Sequence, residues 1–134
     1  MKNGGKHVSQ KAPEPVGPYP HARRVGDFIF VSGMGPRRPG TQVIPGVDPH
    51  DVELQTRSTI ENIQTVLSEM GSSLEDVVDC TCFLTNMKQD FSIFNRVYGE
   101  YFAKIGPTRT TVEVGSLPTP ISVELKVIAF CPVS

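Results

Sequence analysis

Toward its C-terminal end the chain alternates cleanly. Ile121, Val123, Leu125, Val127 and Ala129 fall on one side of an extended segment ending at Phe130, and Ser122, Glu124 and Lys126 fall on the other. A period of two predicts a strand with one buried face. Upstream, Arg23–Gly33 reads as a hairpin: Gly26-Asp27 supplies the turn, and Phe28-Ile29-Phe30-Val31 is an apolar run expected to be buried on both faces. A short strand is expected near Gln42-Val43-Ile44, after the loop Arg37-Arg38-Pro39-Gly40. The period then changes. Leu54, Thr56, Ile60, Ile63, Leu67 and Met70 recur at helical spacing, with Asp48 as N-cap, Pro49 in the first turn and Gly71 as the stop. Asp76–Leu84 reads as a central strand, and Gln89–Phe102 as a helix with Phe91, Phe94, Tyr98 and Tyr101 or Phe102 inward. Gly106-Pro107 ends that helix. Thr108–Val114, rich in residues branched at Cβ, then extends as a strand.

The predicted order is β-β-β-α-β-α-β-β, an α+β domain spanning residues 1–134 with residues 1–15 loosely held. Two helices cover only one face of a five- or six-stranded sheet. The other face keeps apolar area worth roughly 25 cal/mol per Å² if buried, so a second subunit is expected to cover it.

Composition narrows the function classes. A chain of 134 residues buries about two-thirds of its unfolded surface as one domain. With a net charge of −1 and basic residues grouped only as the pairs Arg23-Arg24 and Arg37-Arg38, no field favours nucleic acid. No apolar run approaches a membrane span, and the polar start lacks the apolar segment of a secretory signal. A cytoplasmic enzyme or binding protein is expected. The cysteines Cys80, Cys82 and Cys131 form no disulfide framework, and Cys80 and Cys82 read as small buried hydrophobes. His7, His21 and His50 show no metal-ligand spacing, so no metal site is expected.

Two side chains carry candidate chemistry. Arg109 shares one face of its strand with Thr111 and Glu113, and a guanidinium on a rigid strand is a fixed fork suited to a carboxylate. The alternative is a surface ion pair. Glu124 sits mid-strand, where desolvation would raise its pKa, or it is an exposed glutamate beside Lys126. The front loop Gly17-Pro18-Tyr19-Pro20-His21 offers a phenol.

Taken in order, Gly17-Pro18-Tyr19, Phe30-Val31-Ser32-Gly33, Gln55-Thr56-Arg57, Glu61-Asn62-Ile63, Phe83-Leu84-Thr85, Asn95-Arg96-Val97-Tyr98, Pro107–Val112 and Val123-Glu124 resemble the Rid family, the YjgF-like reactive-intermediate deaminases. The resemblance runs from about Pro15 to Phe130. It implies a chorismate-mutase-like subunit with a mixed sheet, a homotrimer with sites in the clefts between subunits, and no cofactor. It also implies that Arg109 grips the substrate carboxylate, that Glu124 positions the hydrolytic water, and that Tyr19 and Asn95 line the cleft. A hairpin would set Arg109 opposite Glu124, whereas the family sheet order puts another strand between them.

Within the family, Gly33–Gly40, Gly106–Val112 and Glu124-Leu125-Lys126 look closest to 2-aminomuconate deaminases, with Lys126 replacing a second acid common in the general branch. The expected reaction is hydrolysis of 2-aminomuconate, through its imine, to 4-oxalocrotonate and ammonia, with a backbone group near Thr111 or Gly33 holding the water. A substrate with a carboxylate at each end would gain about tenfold to a hundredfold from a second cationic contact, for which Arg37 and Arg38 are the candidates. Otherwise those arginines are a solvated loop pair. The rivals are a general 2-imino acid deaminase acting on 2-iminobutanoate or 2-iminopropanoate, and a non-catalytic ligand-binding trimer or ribonuclease.

Overall fold

β6 (Val123–Phe130) is the strand around which the others assemble, because its alternation commits Val123, Leu125, Val127 and Ala129 to full burial. The structure is a computed structural model and describes residues 4–133. Ahead of β6 come β1 (Lys6–His7), β2 (Ala22–Val25), β3 (Phe28–Val31), α1 (Val52–Glu69), β4 (Val77–Leu84), α2 (Met87–Phe102) and β5 (Thr108–Glu113). They form a mixed sheet in the order β1-β2-β3-β6-β4-β5. β4 and β5 run parallel, joined through α2, and every other neighbour is antiparallel. β4 separates β5 from β6, which rules out the simple hairpin.

The expected element order holds, but one of the three strands ahead of the first helix lies elsewhere. Gln42–Ile44 is not a strand; its backbone turns inward, with Val43 O accepting from Arg38 N and the Thr41 hydroxyl accepting from Val43 N. β1 instead comes from the front segment, where Lys6 pairs with Arg23 and His7 with Ala22. That segment, expected to be loose, is pinned within its described part. Ser9 and Ala12 are buried, and the Ser9 hydroxyl accepts from the amides of Lys11 and Ala12.

α1 begins later than the sequence suggests. Asp51, not Asp48, caps it by accepting from Leu54 N at 3.0 Å. Gly46 permits that entry: its φ is +71°, and a Cβ there would lie 2.5 Å from Asp51 O. The buried stripe is correspondingly rotated. Val52, Thr59 and Val66 are inside, and Leu54 is exposed. α2 starts at Met87 behind Asn86, whose side chain accepts from Gln89 N. Both helices pack on one face of the sheet, over Ile29, Val31, Leu125 and Val127, with Ile60, Ile63, Phe94 and Phe102 filling the space between. The opposite face carries exposed Phe28, Phe30, Val78, Val112 and Phe130, and none of the described residues covers them. The run Phe28–Val31 is thus buried on one face only, through Ile29 and Val31, and not on both as its composition suggests. Phe28 and Phe130 meet edge to face there, centroids 5.2 Å apart.

Two buried amides of α1 interrupt its apolar stripe and hold loops in place. Gln55 accepts from Ser122 N at 2.8 Å and donates to Gly46 O. Asn62 donates to the carbonyls of Gly35 and Arg37, both at 3.0 Å. Arg57, by contrast, joins Glu53, Arg96 and Glu100 in an exposed ion-pair cluster between the helices. Leaving these two part-buried carbonyls unpaired costs up to about 1–3 kcal/mol each, so Asn62→Ala should lower unfolding stability by about 1 kcal/mol or more in a denaturant titration. A change under half a kcal/mol would show that the loop holds without it.

Candidate functional site

Opposite the helices, β6 presents Glu124 and Lys126 to a cavity of about 340 Å³, within the range of small-molecule pockets. Tyr19 and Arg37 line it, as do Ser32, Gly33 and Met34 from the segment after β3. That segment bulges. Phe30 pairs with Ile128, yet Met34, four residues on, pairs with Leu125, only three residues back. The extra residue brings the Gly33 backbone against the carboxyl of Glu124. A Cβ at Gly33 would stand 2.5 Å from Glu124 Oε2, so any larger residue there would push the carboxyl from this position.

Glu124 is half-buried, and its carboxyl is held above the usual range by burial alone. Lys126 does not neutralise it; its ammonium donates to Val31 O at 3.2 Å. The alternative of an exposed glutamate paired with Lys126 is therefore not what the fold builds.

The walls are fixed from several directions. Asn62 holds the carbonyls of Gly35 and Arg37 from below. Arg37 spans to Glu14 O and to the Gln42 side chain, closing the front segment over the cavity. Ser32 donates to Pro20 O at 2.7 Å. The phenol of Tyr19, 40% exposed, accepts from Val16 N. His21 is not available for a ligand: Nδ1 accepts from Ser9 N at 2.9 Å and Nε2 donates to Pro13 O at 2.7 Å. Arg38 lies outside the cavity lining, exposed on its loop.

Arg109 lies elsewhere in the subunit. It pairs with Cys80 of β4, whereas Glu124 pairs with Phe83. Those partners are an odd number of residues apart, so the two side chains leave opposite faces of the sheet. Arg109 lies against α2, its guanidinium 4.8 Å from the Tyr98 ring centroid and 5.9 Å from that of Phe91. It donates to Asn95 Oδ1 at 2.8 Å. Among the described residues its fork meets no carboxylate, so it is not a surface ion pair but a positioned, uncommitted cation at the sheet's edge. Thr111 is beside it, two residues on, with its hydroxyl buried and without a hydrogen-bond partner among the described residues. Beneath them Cys80 and Cys82 are fully buried, 3.7 Å apart, as core thiols.

One chain thus brings together Glu124, Tyr19 and Arg37 in one place and Arg109, Asn95 and Thr111 in another. Gln55 and Asn62, which hold the loops, were signalled in the sequence by amides interrupting an apolar helical stripe. Lys126 was signalled by its place two residues after Glu124 on the same strand face.

The comparisons agree with this architecture. The sequence model of the Endoribonuclease L-PSP family matches residues 9–131. A RutC family protein of Pyrococcus abyssi is 44% identical over 123 residues, covering 91% of this chain and 93% of that protein. TdcF of Escherichia coli K12, whose name assigns it provisionally to the reactive intermediate deaminases, is 35% identical over 90% of this chain and 92% of its own. The crystal structure of E. coli TdcF with bound serine matches with a TM-score of 0.84 at 34% identity, covering 93% of this chain and 97% of that one. A crystal structure from Thermotoga maritima matches with a TM-score of 0.87 at 36% identity, covering 96% and 98%.

Burial makes ionised Glu124 a destabilising group, with a pH signature. At low pH, native and unfolded chains both carry the proton, and wild type and Glu124→Gln should be similarly stable. As pH rises through the ordinary carboxylate range the unfolded chain ionises first, so the wild type loses ground until its native carboxyl ionises as well. Thermal melts at neutral pH should therefore favour Glu124→Gln, with the gap closing under acid; a variant that melts lower at neutral pH contradicts this.

Proposed function

Because the chain belongs to the Rid (YjgF-like) family of reactive-intermediate deaminases, we propose that it is a cofactor-independent hydrolase of small imino acids whose active site forms between two copies. The observation that carries this reading is the division of the site: a carboxyl raised by burial faces a cavity on the uncovered sheet face, and an unpaired guanidinium waits at the edge strand of the other face. Neither half is chemically complete. A second subunit laid on Phe28, Phe30, Val112 and Phe130 buries the apolar face and carries its own Arg109 toward Glu124. A homotrimer repeats that contact in a closed ring.

The chemistry follows from the parts. The enamine substrate tautomerises to its imine, leaving an electrophilic carbon next to a carboxylate. Arg109 of one subunit holds that carboxylate and fixes the carbon's position. Glu124 of the neighbour, its proton affinity raised by burial, takes a proton from water as the oxygen attacks the carbon. Glu124 returns that proton to the imine nitrogen, giving a tetrahedral carbinolamine. On collapse the carbinolamine hydroxyl gives up its proton, which Glu124 passes to the amine as the C–N bond breaks, so that the carbonyl forms and ammonia leaves. Gly33 lets the carboxyl sit close against the backbone, Tyr19 walls the cavity, and Asn95 and Tyr98 aim the guanidinium. The finer substrate reading is 2-aminomuconate, giving 4-oxalocrotonate, with a general 2-imino acid as the rival. RNA cleavage is disfavoured, because a net charge of −1 supplies no cationic track for phosphates.

Ammonia release from freshly generated 2-aminomuconate and 2-iminopropanoate tests the proposal directly. Arg109→Ala should lower kcat/KM by about a hundredfold or more through lost positioning, and Glu124→Gln by about 10²–10⁴ through loss of the proton acceptor. Gly33→Ala should fold yet lose about a hundredfold, since its Cβ displaces the carboxyl. Retention of most activity by Arg109→Ala or Glu124→Gln would overturn the assignment. Sedimentation at micromolar concentration should show an oligomer, and a stable monomer would remove the basis for a shared site.

A further inference from the structure

Lys126 is the feature of the cavity that the reaction above does not use. It lines the same pocket as Glu124, on the same strand and the same face, two residues further along. Residues so placed stand about 6.6 Å apart along a strand. Its ammonium has three donors. Val31 O takes one of them, and among the described residues no carboxylate takes another. Arg37, the other cation of the lining, likewise meets no carboxylate among the described residues, but it donates to Glu14 O and the Gln42 side chain and is thereby tied into the wall. Arg38 is outside the cavity. Lys126 is therefore the cation of the lining that shares the strand face of the reacting carboxyl, displaced from it by one pleat repeat.

The geometry points to Lys126 as a specificity residue that receives a second, distal carboxylate, making short-chain dicarboxylic 2-imino or 2-enamino acids the preferred substrate class. This rests on the reading of Glu124 and Arg109 given above and adds a third point of attachment. Arg109 of the neighbouring subunit takes the carboxylate beside the imine carbon, Glu124 handles water at that carbon, and the Lys126 ammonium meets the far end of the chain. A side chain ending in a methyl group would leave that ammonium without an anion, whereas a diacid supplies one at about the right span. Charge-assisted hydrogen bonds of this kind discriminate about tenfold to a hundredfold. The role is one of binding. Lys126 touches the substrate away from the bonds that form and break, so it should act on KM and leave kcat nearly unchanged.

Two stable ligands of equal chain length separate this role from a structural one: 2-oxoadipate, with a distal carboxylate, and 2-oxohexanoate, with a methyl in its place. Calorimetric titration of the wild-type oligomer should favour 2-oxoadipate by about tenfold or more. Lys126→Met should abolish the preference by weakening 2-oxoadipate alone, Lys126→Arg should keep it, and Lys126→Glu should reverse it. If Lys126→Met weakens both ligands equally, the side chain serves only the Val31 carbonyl and the inference fails. An undiminished preference in Lys126→Met also overturns it. Deamination kinetics complete the test, with Lys126→Met expected to raise KM for 2-aminomuconate about tenfold or more while 2-iminopropanoate is unaffected. An enzyme that turns over both substrates with no dicarboxylate preference would overturn this inference but leave the deaminase reading standing. Binding of neither 2-oxo acid would overturn both.

Discussion

The alternation of β6 is the constraint on which everything else depends. By burying Val123, Leu125, Val127 and Ala129 beneath the helices, it forces Glu124 and Lys126 onto the opposite face, into the cavity that the front segment borders. The same sheet geometry turns Arg109 toward α2. A strand cannot present its core residues and its polar residues on the same side, so the packing that stabilises the chain also separates the two groups proposed for imine hydrolysis. In the proposed oligomer, association would complete the site while removing the exposed aromatic patch from water, joining stability and function at one surface.

Holding an unpaired carboxyl partly out of water costs free energy, and the surroundings are arranged to tolerate it. Gly33 gives up a side chain so that the carboxyl fits against the backbone. Asn62 and Gln55 place polar groups inside an otherwise apolar helix stripe to fix the loop that contains Gly35 and Arg37 and the start of β6. Each of these choices runs against simple core packing, which is the usual mark of a residue kept for positioning. Arg109 follows the same pattern: Asn95 and Tyr98 orient it, and the described residues supply no counter-ion that would consume it.

Strong periodicity was legible in the sequence, and geometry that depends on pairing was not. The buried face of β6 and the extents of β4 and α2 could be read within a residue or two, because each repeats its period over several turns or pleats. β1 escaped notice since Lys6-His7 is too short to show alternation and exists only by pairing with Arg23 and Ala22. Gln42–Ile44 has strand-like residues but spends its backbone bonds on a local turn through Thr41. The capping role passed from Asp48 to Asp51 because a cap is defined by which side chain reaches Leu54 N, not by which acid comes first. Among candidate site residues, the charge types of Arg109 and Glu124 were apparent at once. Their opposite faces follow from the register of Cys80 and Phe83 on β4, a long-range fact with no local signature. Arg37 and Arg38 look equivalent in sequence; only the folded loop distinguishes the one that closes the cavity from the one left in solvent.

A complementation experiment addresses the division of the site between chains most directly. Arg109→Ala and Glu124→Gln are each mixed after unfolding and refolded together, and ammonia release is compared with that of either protein refolded alone. Where a site draws its guanidinium and its carboxyl from different subunits, random assembly makes roughly a quarter of sites whole, and activity returns to about that fraction of wild type. Activity that stays at the level of the separate variants, in oligomers shown to contain both chains, would mean that a single subunit supplies both groups, and the account would be wrong.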